Sequence, residues 1–440
     1  MTLVNLDIDM NEKKETVEQE KGEQEEKDNI NQIDTWDELD IDPNILRGIY
    51  AYGYERPSPI QRKAILPMLK KRDLIAQAQS GTGKTATFAI GALATVDLKE
   101  NKNQVLILSP TRELTTQTAN VVKNLGSLMD GLRVETLFGG GGPANVVGVG
   151  ENWRGREGQK ERGDKGDKKE GAGAEKEKRK DRVYSHILCG CPGKVYDMMR
   201  TNRITTRSIR LIILDEADEV LSSGFKEQVY NIFQHLSNDV NIALFSATLP
   251  NYVFTITNKI MRNPVQICVK AEQLTLEGIA QYFVAVENDM QKFEVLKDIY
   301  SYISLSQCMI YCNSVRRVND LYNAMLEEGF PVCCIHSNMD KKTRDESFAD
   351  FRTGKYRVMI SSNVTSRGID IQQVSTVINY DIPKCVHNYL HRIGRSGRWG
   401  RKGVGINFVT KYDCHKMKEI EQYYDCQINE LPANLSVLNT

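Results

Sequence analysis

Asp215, Glu216 and Asp218 crowd the end of an apolar run, Leu211-Ile212-Ile213-Leu214, that reads as a buried strand. Upstream, Ala78-Gln79-Ser80-Gly81-Thr82-Gly83-Lys84-Thr85 follows a second such run, Leu74-Ile75-Ala76. The upstream segment has P-loop spacing with Ala in the first glycine position. Its glycines let backbone N–H groups curl around phosphate oxygens, Lys84 offers a point charge to the β- and γ-phosphates, and the Thr85 hydroxyl can reach Mg²⁺. The acidic cluster supplies the other half of such a site. Asp215 is placed to hold Mg²⁺, partly through water, and Glu216 to orient and deprotonate an attacking water. Asp218 is better placed to link neighbouring motifs. A phosphate cradle and an acidic cluster at two strand ends point to ATP hydrolysis with ATP and Mg²⁺ as cofactors.

Further loops stand at the ends of apolar runs. Pro110-Thr111-Arg112-Glu113-Leu114, Gly139-Gly140 and Cys191-Pro192-Gly193-Lys194 each follow one. Backbone N–H groups, helix N-termini and basic side chains there can hold a phosphate backbone, which carries little sequence information. Late in the chain, His391-Arg392-Ile393-Gly394-Arg395-Ser396-Gly397-Arg398 is an Arg-rich turn.

Apolar runs recur at 74–78, 105–108, 134–138, 186–188, 211–214 and 242–245, and again at 282–286, 309–311, 332–335, 358–360, 377–379 and 406–409. Between them lie stretches of helical spacing such as 292–300 and 315–326. This alternation predicts an α/β protein of two tandem domains, each a parallel sheet with helices on both faces. The 440 residues suit two or three domains. We expect an acidic disordered tail over 1–34, a first domain over 35–270, a linker over 271–278 and a second domain over 279–440. Residues 1–30 hold ten Asp or Glu against four Lys, too polar to build a core. Residues 142–182 read as a low-complexity insertion, with Arg154, Arg156, Arg162 and Trp153 able to serve as an auxiliary RNA-contacting arm.

The formal net charge of +0 hides this unevenness and leaves room for a local basic groove. The ten cysteines contain no Cys-x-x-Cys pair, which argues against a zinc ribbon or a disulfide framework and for reduced thiols. No apolar run reaches membrane-spanning length, and the N-terminus has no hydrophobic signal region. A cytoplasmic or nuclear protein without membrane contact is expected.

Asp215-Glu216-Ala217-Asp218, with the P-loop before it and Ser246-Ala247-Thr248 after it, resembles the DEAD-box ATP-dependent RNA helicases, two tandem RecA-like domains. Within them the likeness is nearest to the translation initiation factor 4A group, from about Trp36 to the C-terminus apart from the insertion. The stretch from Arg47 to Gln61 resembles that group's adenine-recognition motif, and Leu274-Thr275-Leu276-Glu277-Gly278 its interdomain stretch. The resemblance implies that Gln61 reads the adenine edge, Tyr54 stacks on the base and Trp36 supports the motif. Ser80, Gly81, Thr82 and Gly83 would complete the phosphate loop, with Asp370 on the ribose. Arg395 and Arg398 would be arginine fingers, while His391 would bridge to Asp218, Ser246 and Thr248. It further implies RNA contacts at Thr111, Arg112, Gly140, Gly193, Lys194, Asn313, Arg344, Ser362, Arg367 and Gly368.

The RNA-side motifs depart from the family pattern. Thr-Pro-Gly-Arg has become Cys191-Pro192-Gly193-Lys194, and His-Gly-Asp has become His336-Ser337-Asn338. The Gln three residues before Arg344 is Lys341, Thr-Asp is Ser362-Asn363, and Ala-Arg-Gly is Ser366-Arg367-Gly368. The expected activity is an RNA-dependent ATPase that unwinds short duplexes, acting as a monomer with a scaffold protein of an initiation-type complex. The rival readings are a slow ATP-gated RNA clamp within an mRNA-processing complex and, third, a P-loop ATPase acting on proteins.

Overall fold

The computed structural model describes residues 32–79, 81–139, 146–148, 183–267, 278–303, 306–365, 374–396 and 403–432. The first sheet is built from β1 (Leu74–Gln77), β2 (Val105–Leu108), β3 (Arg133–Leu137), β4 (Val146–Gly148), β5 (Ile187–Gly190), β6 (Leu211–Asp215), β7 (Asn241–Ser246) and β8 (Val265–Ile267). Their order across the sheet is β4-β3-β5-β2-β6-β7-β1-β8. The second sheet holds β9 (Ile279–Ala285), β10 (Gln307–Tyr311), β11 (Val332–Ile335), β12 (Val358–Ser361), β13 (Val374–Asn379), β14 (Gly403–Val409) and β15 (Asn429–Glu430). They run β11-β12-β10-β13-β14-β9-β15. The expected two-sheet α/β architecture is present.

The strand sequences explain the double-sided burial. In β1, β2 and β6 every residue is buried, as continuous apolar runs demand when helices cover both faces. Alternate side chains divide between two cores. Leu74, Val105, Ile107, Leu211, Ile213 and Phe245 join one apolar cluster, while Ile75, Leu106, Leu108, Ile212, Leu214 and Leu244 join the other. The second sheet divides in the same way, with Cys308 and Ile310 on one face and Met309 and Tyr311 on the other.

Strand order sorts the loops by chemistry. The first-sheet pairs are parallel apart from β3–β4, so the carboxyl ends of β1 to β3 and β5 to β8 share one edge. The P-loop follows β1, Ser246-Ala247-Thr248 follows β7 and Asp215-Glu216 closes β6, on three adjacent strands. The Thr111, Cys191 and Gly139 loops follow β2, β5 and β3, also adjacent. The loops expected to bind and cleave a phosphate and those expected to hold a phosphate backbone thus occupy neighbouring halves of one edge.

Three details differ from the sequence reading. Strand β4 falls inside the segment read as a low-complexity insertion; it pairs antiparallel with β3 at the sheet edge. Order is established before Trp36, because Ile33 is 2% exposed and its N–H donates to the Arg62 carbonyl at 3.2 Å. The short strand β15 lies beside β9 and was not anticipated. Of the expected linker, 271–277 lies outside the described residues, as does 149–182 of the insertion. The nine cysteines among the described residues are all free thiols. None of the described helices is long and apolar enough to cross a membrane.

Helix Pro43–Ala51 precedes the expected adenine loop and is capped by Asp42, whose carboxylate accepts the Asn44 N–H at 2.7 Å. It crosses helix Arg112–Leu125 at Gly48, where a Cβ would stand 1.9 Å from the Leu125 carbonyl oxygen. Ala is the better helix former by ~1 kcal/mol, yet backbone cannot yield as a side chain does. Gly48→Ala is therefore expected to destabilise the first domain by about 1–3 kcal/mol. Denaturant unfolding checks this, and a stabilised variant would show that the two helices can separate freely.

Candidate active site and nucleic-acid interface

Gly81 and Gly83 adopt φ of +84° and +97°, the left-handed backbone that the P-loop turn requires. A Cβ on Gly83 would lie 2.7 Å from Gln61 Nε2. Gln61 is held from its other end. Its Oε1 accepts the Ser58 N–H at 2.7 Å in a capping box at the start of helix Pro59–Leu69, and its Nε2 faces the Gly83 carbonyl at 3.4 Å. The adenine-motif amide therefore touches the phosphate loop. Tyr54 packs against Tyr52 with ring centroids 5.1 Å apart, and both rings line the same cleft as Gly81, Gly83, Lys84 and Thr85. This cleft of about 890 Å³ also takes in Asp215, Glu216 and Arg112.

Helix Lys84–Thr95 begins on the P-loop, and its first side chain folds back over the loop. Lys84 Nζ donates to the Ala78 carbonyl at 2.5 Å and to that of Gln79 at 3.1 Å. Burial lowers the affinity of this ammonium for its proton; the Glu216 and Asp215 carboxylates oppose that shift, and the nearby Arg395 guanidinium adds to it. Thr82 Oγ1 donates to the Gln79 carbonyl at 2.7 Å and stiffens the turn.

Asp215 closes β6, and burial together with the Glu216 carboxylate pushes its carboxyl up to about 8. Glu216 follows at φ +50°, ψ 54°, a left-handed conformation uncommon for a non-glycine residue. Among the described residues, Asp215 Oδ2 and Glu216 Oε2 are buried without a hydrogen-bond partner. Acidic oxygens left unsatisfied beside a P-loop threonine fit a hydrated divalent cation, which Thr85 and Asp215 would hold.

Asp218 is the junction. Its Oδ1 accepts from Ser246 Oγ at 3.0 Å, and its Oδ2 accepts from Thr248 Oγ1 at 2.6 Å. His391 Nε2, from the second domain, lies 2.9 Å from the same Oδ2, while His391 Nδ1 is 4.0 Å from Glu216 Oε2. All four residues expected to couple the motifs meet, and all are buried. Arg395, one turn beyond His391, is buried and donates from Nε to the His391 carbonyl at 3.1 Å.

Along the half of the edge expected to hold a nucleic-acid backbone, Thr111 caps helix Arg112–Leu125 by accepting the Leu114 N–H at 3.3 Å, so Arg112 sits at a helix N-terminus. Gly193 has open space where a Cβ would be, and Lys194 pairs with Asp197 at 3.4 Å. In the second domain, Asn313 follows β10 and Ser362 follows β12, on adjacent strands. Arg344 does not face an open groove. It is buried against Glu113 of the first domain, with Nη2 donating to Oε2 at 2.7 Å and Nε 2.6 Å from Oε1. Ser80, Gly140, Arg367, Gly368, Asp370 and Arg398 lie outside the described residues.

Sequence reasoning passed over two residues. Glu113 sits inside a quoted motif, but nothing in one sequence pairs it with Arg344, 231 positions away. Arg392 is 0% exposed. It donates to Asn313 Oδ1 at 2.8 Å, Asn363 Oδ1 at 2.7 and 2.9 Å, Asn379 Oδ1 at 3.1 Å and the Asp381 carbonyl at 2.8 Å. It also stacks 5.3 Å over the Tyr311 ring. Burial lowers its pKa to about 10. Its partners are neutral amide and carbonyl oxygens, which a search for opposite charges around the Arg-rich turn does not find.

Removing the junction should be costly. Asp218→Ala leaves the Ser246 and Thr248 hydroxyls without their buried acceptor, and a loss of about 2–3 kcal/mol in denaturant unfolding is expected. A change below about 0.5 kcal/mol would contradict the assigned network.

Comparison with known proteins agrees with the geometry. The DEAD/DEAH box helicase domain matches residues 58–256, and the helicase conserved C-terminal domain matches residues 291–400. The chain is 45% identical over 408 residues to the ATP-dependent RNA helicase fal1 of Schizosaccharomyces pombe, covering 93% of this chain and 95% of that one. It is 42% identical over 406 residues to eukaryotic initiation factor 4A of Caenorhabditis elegans, covering 92% and 93%. The structure of S. cerevisiae Dbp5 bound to RNA and ADP BeF3 superposes with a TM-score of 0.80 at 31% identity, covering 92% of this chain and 99% of that one. With a P-loop, a buried acidic cluster and a second sheet reaching into them, the chain belongs to the DEAD/DEAH box family of ATP-dependent RNA helicases.

Proposed function

We propose that this protein is an RNA-dependent ATPase that opens short RNA duplexes locally, with a role in translation initiation. The observation that carries the mechanism is His391, from the second domain, seated on the Asp218 that joins Ser246 and Thr248 in the first. Hydrolysis chemistry on one lobe is thereby completed by groups on the other, and a strand crossing both lobes would favour the same closure. The initiation role draws on the likeness to relatives named initiation factor 4A.

Lys84, Gly81, Gly83 and Thr85 would hold the phosphates, and Gln61 and Tyr54 the base. Thr85, and Asp215 through water, would hold Mg²⁺, which would supply charge neutralisation when bound. Glu216 orients and deprotonates the attacking water, its carboxylate held in place by the left-handed backbone turn. Arg395 reaches over from the second lobe toward Lys84 and offsets charge developing on the transferred phosphoryl group. RNA would be held through its sugar-phosphate backbone along Thr111, Arg112, Gly193, Lys194, Asn313 and Ser362. A slow ATP-gated clamp is the second reading, favoured by the buried Glu113–Arg344 pair, which ties the lobes together beside the RNA loops.

Turnover measured with and without single-stranded RNA is the first test, and an ATPase indifferent to RNA would reject the proposal. Lys84→Ala is expected to lose ATP binding. Glu216→Gln should bind ATP with near-normal affinity yet lose at least 10²-fold in turnover, on the order expected for a general base. Arg395→Ala should spare ATP binding and slow RNA-stimulated hydrolysis by ~10³-fold. Normal turnover in Glu216→Gln would contradict the base assignment. Multiple-turnover strand separation on a short duplex favours unwinding, and a long-lived ATP–RNA complex favours the clamp.

A further inference from the structure

Helix Lys341–Arg352 opens with Asp340 as its cap, whose carboxylate accepts the Thr343 N–H at 3.1 Å. Its first turn presents Lys341 and Arg344, three residues apart and therefore on one face. Both reach the other domain. Arg344 meets Glu113 in the helix that follows β2. Lys341 Nζ sits 5.3 Å above the centre of the Phe138 ring, immediately after β3. Phe138 and Glu113 flank the first-domain loops assigned above to the RNA backbone. Neither contact involves the P-loop, the acidic cluster or His391.

From this geometry we infer that Lys341 and Phe138 form a second closure contact, which draws the lobes together on the RNA side without nucleotide. Lys341 acts as a positioning residue: it sets how the Phe138–Gly139 turn lies against the second domain. A lysine is suited to the role. Its ammonium is a compact charge on a flexible stem, and a cation over an aromatic face is attracted by the ring quadrupole. A glutamine, the family residue noted for this position, carries no charge for the ring to attract. The neighbouring Arg344–Glu113 ion pair is buried, with Nη2 donating to Oε2 at 2.7 Å, so the helix end is already oriented when Lys341 closes on the ring. The closed form thus gains stability from a contact that ATP hydrolysis does not remove, and the lobes reopen less completely after each turnover.

The test uses the full chain with one fluorophore on each lobe and reads energy transfer in the absence of nucleotide and RNA. Lys341→Gln is expected to lower the closed-to-open ratio by about two- to five-fold, the lower range of a cation–π contact, as suits two half-buried side chains. Phe138→Leu should lower it equally, Lys341→Arg should retain it, and Lys341→Gln with Phe138→Leu should fall no further than either alone. An unchanged ratio in both single variants, additive losses in the double variant, or a nucleotide-free wild type with no closed population would overturn the inference. The ATPase response to RNA is measured on the same proteins. Its absence in the wild type would reject the helicase reading while leaving the closure contact standing, so the two failures are separable.

Discussion

A parallel ladder delivers the carboxyl end of each strand to one edge of its sheet, and the rest of this molecule depends on that constraint. Helical crossovers leave β1, β6 and β7 parallel while covering both of their apolar faces, so the turns after them meet at one edge. What meets is a phosphate loop, an acidic pair and a Ser-Ala-Thr turn. The adjoining strands β2, β5 and β3 deliver the loops expected to hold a phosphate backbone to the same rim. Strand order makes the two sets of loops neighbours.

The second sheet completes the arrangement electrostatically. Lys84, Asp215, Glu216, Asp218, His391 and Arg395 are all buried, and a buried charge is tolerated only with partners. The first domain supplies an acidic excess at the seam, and the second supplies His391 and Arg395. Contact between the lobes brings these groups together, and Glu113–Arg344 joins the lobes a second time.

The fold was readable because its strands are apolar on both faces and its helices are periodic. Leu211 to Leu214 and Val105 to Leu108 could be placed as strands from composition alone. The P-loop and the acidic cluster were readable because their chemistry needs a fixed local spacing. Strands β4 and β15 escaped notice because three and two residues are too short to show a period. The Arg344–Glu113 and Lys341–Phe138 contacts join residues from separate domains, and no local pattern encodes such a pairing. Arg392 escaped because its partners are amides and carbonyls, which a charge-pattern reading does not search for.

Arg392 has a thermal consequence. Its guanidinium is dehydrated, and among the described residues it is hydrogen-bonded only to neutral oxygens. The hydration of a charged group carries strongly unfavourable entropy, so the penalty for withdrawing that group from water shrinks on heating. Apolar burial gains no comparable advantage. The knot of amides beneath the second lobe's strand ends is thus relatively better tolerated in the warm than in the cold.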